Sequence, residues 1–411
     1  MTEKAPNPFN PSVPATLRTF VGREPELKIF RQKLSFAENG SPAGLAISGD
    51  WGIGKTSLLV KYEMIAKEEN CFVVRVGTLS PDIDTIKKFS RLIMTNFLLK
   101  CNQMRSLSLI DENFEAKVNQ LILDANKKES PLLTDRFVEA APAIILRDFI
   151  EAFCKIAKGK FNATVLMIDE LDRLNNAEGH LMFLREIFQR LSESNTNCLL
   201  VISGRKILLG KTGGEFAPLY RFFDQILHIR NFDLKETDQF LKLRLNETKV
   251  KLDDDVIKKL FDETEGHPYV LTVAMMILYQ ELPEDKKLIN FEYYQSLEET
   301  IFFQISETFF KPTFKSTTPG AREVLVKLAE NDKEILEFSE VVSQFGKYGS
   351  EISPYLAELV RKSCLFRIDR GKYKFFHKLF RRFVLKQDKS LINPRKISRK
   401  RREDTGATKL S

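Results

Sequence analysis

Eight consecutive residues, Gly49-Asp50-Trp51-Gly52-Ile53-Gly54-Lys55-Thr56, hold the densest chemistry in the chain. They fit the pattern G-x-x-x-x-G-K-[ST], whose glycines let the backbone turn with its N–H groups pointing inward around phosphate oxygens. Lys55 would reach the β- and γ-phosphates, and the Thr56 hydroxyl would take one position on Mg2+. Ser57 follows at a helix N-terminus, whose partial positive charge favours an anion. The run implies a nucleoside triphosphate site, with ATP and Mg2+ as the expected ligands. The loop alone does not separate adenine from guanine.

Binding is not hydrolysis, which also needs a held metal and an aligned water. Asp169 and Glu170 end an apolar run about a hundred residues downstream. Asp169 would hold Mg2+, directly or through water, and Glu170 would take a proton from the attacking water. The same acids would also suit a plain helix start. Arg205 ends a later apolar run and could touch the γ-phosphate or orient Glu170; as a bare surface charge it would do neither. Arg221 precedes the last apolar run, where it could reach the phosphate of an adjacent subunit in an oligomer.

These residues need strands and helices to hold them. Leu45–Ser48 reads as the end of a strand and Lys55–Glu68 as the helix after the loop. Phe72–Val76, Thr164–Glu170, Cys198–Arg205 and Ile226–Ile229 read as further buried strands. Near-continuous apolar strands separated by helices indicate an α/β fold, a P-loop NTPase parallel sheet covered by helices. Ligands in such sheets lie beyond the carboxyl ends of the strands, where the loop, Asp169-Glu170 and Ser203-Gly204-Arg205 would converge. The stretch from about 83 to 158 is longer than one crossover needs and reads as a helical insertion. The expected boundaries are a flexible segment over 1–18, the ATPase domain over 19–232, a helical lid over 233–305, a winged-helix domain over 306–388 and a basic disordered tail over 389–411. Asp233–Glu236 opens the lid as a capping box. Glu265-Gly266-His267-Pro268 stops one helix and starts the next. Ser353-Pro354 marks a helix start, and Leu365–Phe375 a hairpin turning at Asp369-Arg370-Gly371.

The 411 residues carry a net charge of +8, but residues 361–411 alone hold 18 Lys/Arg against 4 Asp/Glu, so the remainder is net acidic. A basic end on an acidic body suits an anionic partner such as nucleic acid, or a solvated tail. No apolar run approaches the ~20 residues that span a bilayer. The start of the chain lacks a signal-peptide pattern. Five scattered cysteines without a C-x-x-C pair favour a reducing compartment, so the cytoplasm is the expected location and no membrane partner is expected.

F-V-G-R-E at 20–24, G-D-W-G-I-G-K-T at 49–56, L-M-I-D-E at 166–170, I-S-G-R at 202–205 and G-H-P at 266–268 occur in an order that resembles the AAA+/STAND branch of P-loop ATPases. The likeness is closest to its archaeal ATPase and Orc/Cdc6-like group, and a C-terminal winged helix extends it. The resemblance implies that Val21 and Gly22 lie near the adenine and that Pro268 lies against the base. It gives Arg221 the place of an arginine finger. It also makes His377, in Lys374–Arg381, similar to the histidine of STAND switches that reads a diphosphate, although Lys378 replaces the usual acid.

The expectation is an ATP-hydrolysing molecular switch, in which the nucleotide state controls the lid and winged helix. The alternative is an ATP-dependent DNA-binding protein of the Orc/Cdc6-like initiator type, with Arg361, Lys362, Arg370, Lys372 and Lys374 on phosphates. A winged helix used only for protein contact or self-assembly, making a homo-oligomer or protein partner, is the third.

Overall fold

The computed structural model describes residues 5–16, 18–77, 80, 82–128, 141–205, 223, 225–345 and 349–387. The chain divides into two compact units, Pro14–Arg230, and Met1–Val13 together with Asn231–Ser411.

In the first unit, helix α1 (Glu24–Glu38) precedes strand β1 (Ala43–Ser48), and helix α2 (Lys55–Glu68) leads to strand β2 (Phe72–Val76). Helices α3 (Ile86–Ser106), α4 (Glu112–Lys128) and α5 (Ala141–Ala157) follow, then strand β3 (Thr164–Ile168), helix α6 (Ala177–Leu191), strand β4 (Cys198–Gly204) and strand β5 (Ile226–His228). The sheet runs β2-β3-β4-β1-β5 with every pair parallel. Every residue of β1, β3 and β4 is buried, which is why these strands read as unbroken apolar runs.

The pleat sorts their side chains by period two. Leu45, Ile47, Val73, Val165, Met167, Leu199 and Val201 share one core with Phe30 of α1 and Tyr62 of α2, whose rings stack at 4.0 Å. Ala46, Phe72, Val74, Leu166, Leu200 and Ile202 share the other with α3, α4, α5 and α6. Phe72 meets Phe97 of α3 and Phe153 of α5 there, at 6.3 and 4.8 Å between ring centroids. The long helical insertion, together with α6, thus makes the covering layer on that face of the sheet.

The second unit begins with helix α7 (Leu234–Leu245), started by the expected Asp233/Glu236 capping box. Two-residue strands β6 (Lys251–Leu252) and β7 (Leu288–Ile289) pair in parallel around helices α8 (Asp254–Thr264) and α9 (Pro268–Glu281). Helix α10 (Phe291–Ile305) passes through a π-helical turn at Ser306–Phe310 into α11 (Lys311–Lys315). Then come α12 (Pro319–Glu330), β8 (Leu336–Glu337), α13 (Phe338–Phe345), α14 (Gly349–Arg361), β9 (Leu365–Asp369), β10 (Lys372–Phe375) and α15 (Lys378–Leu385). Helix, strand, two helices and a hairpin that closes a three-stranded β8-β10-β9 sheet is winged-helix order. The hairpin turns at Gly371, φ 75°.

Two sequence expectations are corrected. The Ser353-Pro354 pair lies inside α14 rather than at its start: the Ser353 hydroxyl bonds the Gly349 carbonyl at 2.8 Å, and Pro354 is exposed. Residues 5–13 do not form a free leader. Phe9 is buried against Phe240 of α7, Asn7 Nδ2 donates to the Met276 carbonyl at 2.9 Å, and Tyr279 Oη donates to the Ala5 carbonyl at 2.8 Å. Arg244 clamps this strap, with its guanidinium 4.7 Å from the centroid of Phe240 and Nη1 donating to the Pro8 carbonyl at 3.0 Å. The tail from residue 388 onward lies outside the described residues.

Candidate functional site

The parallel order places β4 between β1 and β3, so the carboxyl ends of all three strands meet at one edge. From β1 the chain enters the loop, turns at Gly52 (φ 75°) and Gly54 (φ 100°), and starts α2 at Lys55. At Gly54 an added Cβ would meet open space, so the requirement there is the backbone angle alone. Backbone bonds fix the loop's root: Gly49 N–H donates to the Gly204 carbonyl at 3.2 Å, and Ile229 N–H donates to the Ser48 carbonyl at 2.8 Å.

Lys55 is 9 % exposed, and its Nζ donates to the carbonyls of Gly49 and Asp50 at 3.0 and 2.9 Å. Burial pulls its pKa below that of an ordinary lysine, and Asp172, Asp169, Asp50 and Glu170 oppose that pull. The ammonium is thus folded back on the loop's own carbonyls, in reach of the place where phosphate oxygens would sit. Trp51 is half exposed on the loop. The Ser57 hydroxyl accepts from Ala15 N–H at 3.0 Å.

Asp169 follows β3 and is 4 % exposed. Thr56 Oγ1 donates to its Oδ2 at 2.8 Å, which sets a hydroxyl and a carboxylate side by side as hard oxygen donors suited to Mg2+. Ser203 Oγ, on β4, donates to Asp169 Oδ1. Glu170 adopts a left-handed backbone (φ 54°, ψ 40°), a conformation that costs energy and tends to occur at functional positions. Its carboxylate meets Arg173 Nε at 3.0 Å. Burial raises the Glu170 pKa, while Arg173 pulls it down and Asp169 pushes it up again.

Arg205 makes its salt bridge to Asp172, with Nε 2.6 Å from Oδ2, and its own N–H donates to Asp172 Oδ1 at 3.0 Å. The arginine expected near the γ-phosphate or Glu170 therefore holds the 3-10 turn Leu171–Arg173 to the end of β4. Val21 and Gly22 are half-buried just before α1, and Gly22 and Arg23 both have positive φ (67° and 72°). Arg23 is buried, and its Nη2 reaches the Ile53 carbonyl in the phosphate loop at 3.4 Å, a brace that no local sequence pattern announces. Arg221 lies outside the described residues.

Pro268 and His377 belong to the other unit. Pro268 starts α9 after a turn at Glu265 (φ 51°) and Gly266 (φ 68°). An added Cβ on Gly266 would stand 2.0 Å from the Phe232 carbonyl oxygen, so this position requires glycine. The turn is a junction. Phe232 N–H donates to the Gly266 carbonyl at 2.9 Å, and Asn231 Nδ2 to the Glu265 carbonyl at 2.9 Å. On the other side, His377 Nδ1 accepts from Leu379 N–H at 3.1 Å, which leaves Nε2–H to donate to the Thr264 carbonyl at 3.0 Å. Lys378 N–H donates to Glu265 Oε2 at 3.1 Å. One neutral imidazole thus caps the start of α15 and the end of α8 together. Burial holds its pKa below the ordinary histidine value.

Of the basic residues expected on DNA, Arg361, Arg370 and Lys372 are exposed, and Arg367, which was not expected, joins them. Lys362 and Lys374 are half-buried, and Lys374 pairs with Glu334 at 2.5 Å. Glu358 of α14 is turned to the start of α12, accepting from Thr318 N–H at 2.7 Å and from its hydroxyl at 2.8 Å. No helix of the described residues is long and apolar enough to cross a membrane.

Residues 19–202 match the family described as AAA ATPase domain, and residues 307–384 match one described as a domain of unknown function. A curated relative, an uncharacterized HTH-type transcriptional regulator of Methanocaldococcus jannaschii, is 21 % identical over 394 residues, covering 90 % of this chain and 89 % of that protein. Among solved structures, the Aeropyrum pernix ORC2 protein in ADPNP–ADP complexes has a TM-score of 0.58 at 13 % identity, covering 95 % of this chain and 98 % of that one. The Walker-type ATPase PABY2304 of Pyrococcus abyssi has a TM-score of 0.56 at 14 % identity, covering 92 % and 99 %. These structures share the fold.

Proposed function

We propose that this chain, an ATPase by virtue of the AAA ATPase domain at residues 19–202, is a molecular switch whose nucleotide state sets the position of its C-terminal winged helix. Within the domain, the loop N–H groups and Lys55 bind the phosphates, and the Lys55 ammonium leaves the Gly49 and Asp50 carbonyls to do so. Thr56 and Asp169 would hold Mg2+, which when bound offsets charge on the phosphates. Glu170 accepts the proton of the attacking water once Arg173 releases its carboxylate. Arg205 and Arg23 act on the loop's surroundings rather than on the phosphates.

The observation that carries the switch reading is the junction at Thr264–Gly266. The segment that leaves the ATPase domain, Asn231-Phe232, and the cap and first residue of α15, His377-Lys378, are bonded to the same three-residue turn. A displacement of residues 231–232 is thereby delivered to the winged helix. His377 is a structural strut in this arrangement, and its reading of a diphosphate would require it to leave both partners. Hydrogen exchange over residues 231–268 and 376–385 tests the reading, with ADP against a slowly hydrolysed ATP analogue. A switch requires the two stretches to change protection together, and a change confined to residues 49–60 and 169–173 would refute it.

A second reading, DNA contact, is supported by the exposed Arg361, Arg367, Arg370 and Lys372 on one winged helix and by the name of the Methanocaldococcus relative. Duplex affinity measured at two salt concentrations tests it. Reversing Arg370 or Lys372 to Glu would lower the salt slope by about one for every DNA phosphate that the side chain neutralises. An affinity that ignores salt would sink it. Self-association or another protein partner at the same surface is the remaining outcome.

A further inference from the structure

Asp169 is unusually well occupied. Among the described residues its two oxygens accept four hydrogen bonds. Oδ1 takes Ser203 Oγ and, at 3.0 Å, Glu170 N–H. Oδ2 takes Thr56 Oγ1 at 2.8 Å and Arg75 Nη2 at 3.5 Å. An ionised carboxylate offers about four lone-pair sites, so the set is full. A divalent cation that draws on Oδ2 must displace Thr56 or Arg75. Thr56 is fixed at the start of α2 and is itself a candidate ligand of that cation. The Arg75 bond is the longest of the four, and it comes from a long flexible side chain.

Arg75 also has somewhere to go. It stands in β2, a strand otherwise apolar and buried, with the pleat putting it on the face of Val73 toward α2. There its Nη1 is 3.9 Å from Glu63 Oε2. Glu63 holds Lys67 as well, through Oε1 at 2.6 Å, so its second oxygen faces the arginine. The guanidinium therefore lies between two acids, one at the nucleotide site and one on the flank of α2. Neither phosphate binding nor proton transfer calls on it.

We propose that Arg75 is a resident counter-cation of Asp169, which competes with the divalent metal for that carboxylate and yields by moving onto Glu63. This rests on the reading of Asp169 as the metal-holding acid. Arg75 is then a positioning residue: it keeps the acid aimed before loading and sets the metal concentration at which loading occurs.

The test uses the full chain with saturating ADP and Mn2+ as the probe, free Mn2+ being counted by its electron paramagnetic resonance signal. Removing one half-buried charge 3.5 Å from the metal-holding acid should tighten Mn2+ binding in Arg75→Gln by about tenfold. Glu63→Gln should weaken it by about threefold, because the arginine loses its second acid. Unchanged or weaker binding in folded Arg75→Gln overturns the proposal. If that variant does not fold, Glu63→Gln decides, and unchanged or tighter binding there overturns it. Asp169→Asn separates the underlying reading: if it binds Mn2+ like the parent chain, Asp169 does not hold the metal, whereas a large loss there with no effect of Arg75→Gln refutes the competition alone.

Discussion

Replacing His377 should loosen α15 in two separable steps. The parent imidazole accepts from Leu379 N–H and donates to the Thr264 carbonyl, and it is 1 % exposed. Alanine removes the cap of α15, at about 1 kcal/mol, takes one of two hydrogen bonds from the buried Thr264 carbonyl, which keeps that of His267 N–H, at about 1 kcal/mol, and leaves a gap where the ring packs among Phe310, Phe376 and His267. The total for His377→Ala is about 3 kcal/mol. Asparagine can cap but is too short to reach Thr264, so His377→Asn should cost about 2 kcal/mol.

The assay is hydrogen exchange of the amides in residues 378–385, which reports the opening energy of that helix directly. The parent should also depend on pH. Its imidazole has a folded pKa below the unfolded value of about 6.5, so the unfolded chain binds more protons between the two. Stability contributed by His377 is therefore complete above the unfolded value and is lost as pH falls toward the folded one. Both variants should lack that slope. Equal protection in parent, alanine and asparagine chains, or a parent that grows more stable as pH falls from 7 to 5, would refute the double-cap account.

Lys55→Ala should weaken ATP binding by about a hundredfold or more, measured by calorimetry, since each charge-assisted bond to phosphate is worth about 1.5–3 kcal/mol. The fold should survive, because burial already disfavours that ammonium. Glu170→Gln should retain ATP while slowing turnover by about 10²–10⁴ in a phosphate-release assay. With the Glu170 pKa raised by burial, the parent's activity should fall on acidification at a higher pH than an ordinary glutamate would give. Arg173→Ala, which removes the cation that lowers it, should move that acid limb further up. Gly266→Ala should lower the denaturation midpoint, because its Cβ would strike the Phe232 carbonyl and its φ of 68° costs a non-glycine residue about 1 kcal/mol or more. A normal midpoint would mean that the turn is free to relax.

The loop, the buried strands, the Asp233 cap and the stop at Gly266 were legible because each is a local pattern with one physical cause. Continuous apolar runs identified β1, β3 and β4, since both faces of those strands are covered. What escaped was pairing at long range. Arg75 sits in a strand that reads as uniformly buried, and nothing in its neighbours announces an acid 94 residues away. Ser203 read only as part of a strand end near the loop, and its bond to Asp169 follows from β4 lying next to β3. Arg205 was assigned by its place at a strand end, but Asp172 competes for it. The leader, rich in Pro and Asn, carries no periodicity, so its docking through Phe9 and backbone carbonyls left no trace in the composition.

That docked leader also orders events in time. Ala5 and Asn7 are made well before their partners Tyr279 and Met276, the former pair 274 positions apart. At ~5–20 residues per second the delay is roughly 15–55 s. During that interval the whole of Pro14–Arg230 emerges and can close its own sheet, while Phe9 has no pocket to enter. Pro14–Arg230 is thus made between the two parts of the other unit, and a nascent chain halted before α7 would carry Phe9 with no Phe240 to pack against.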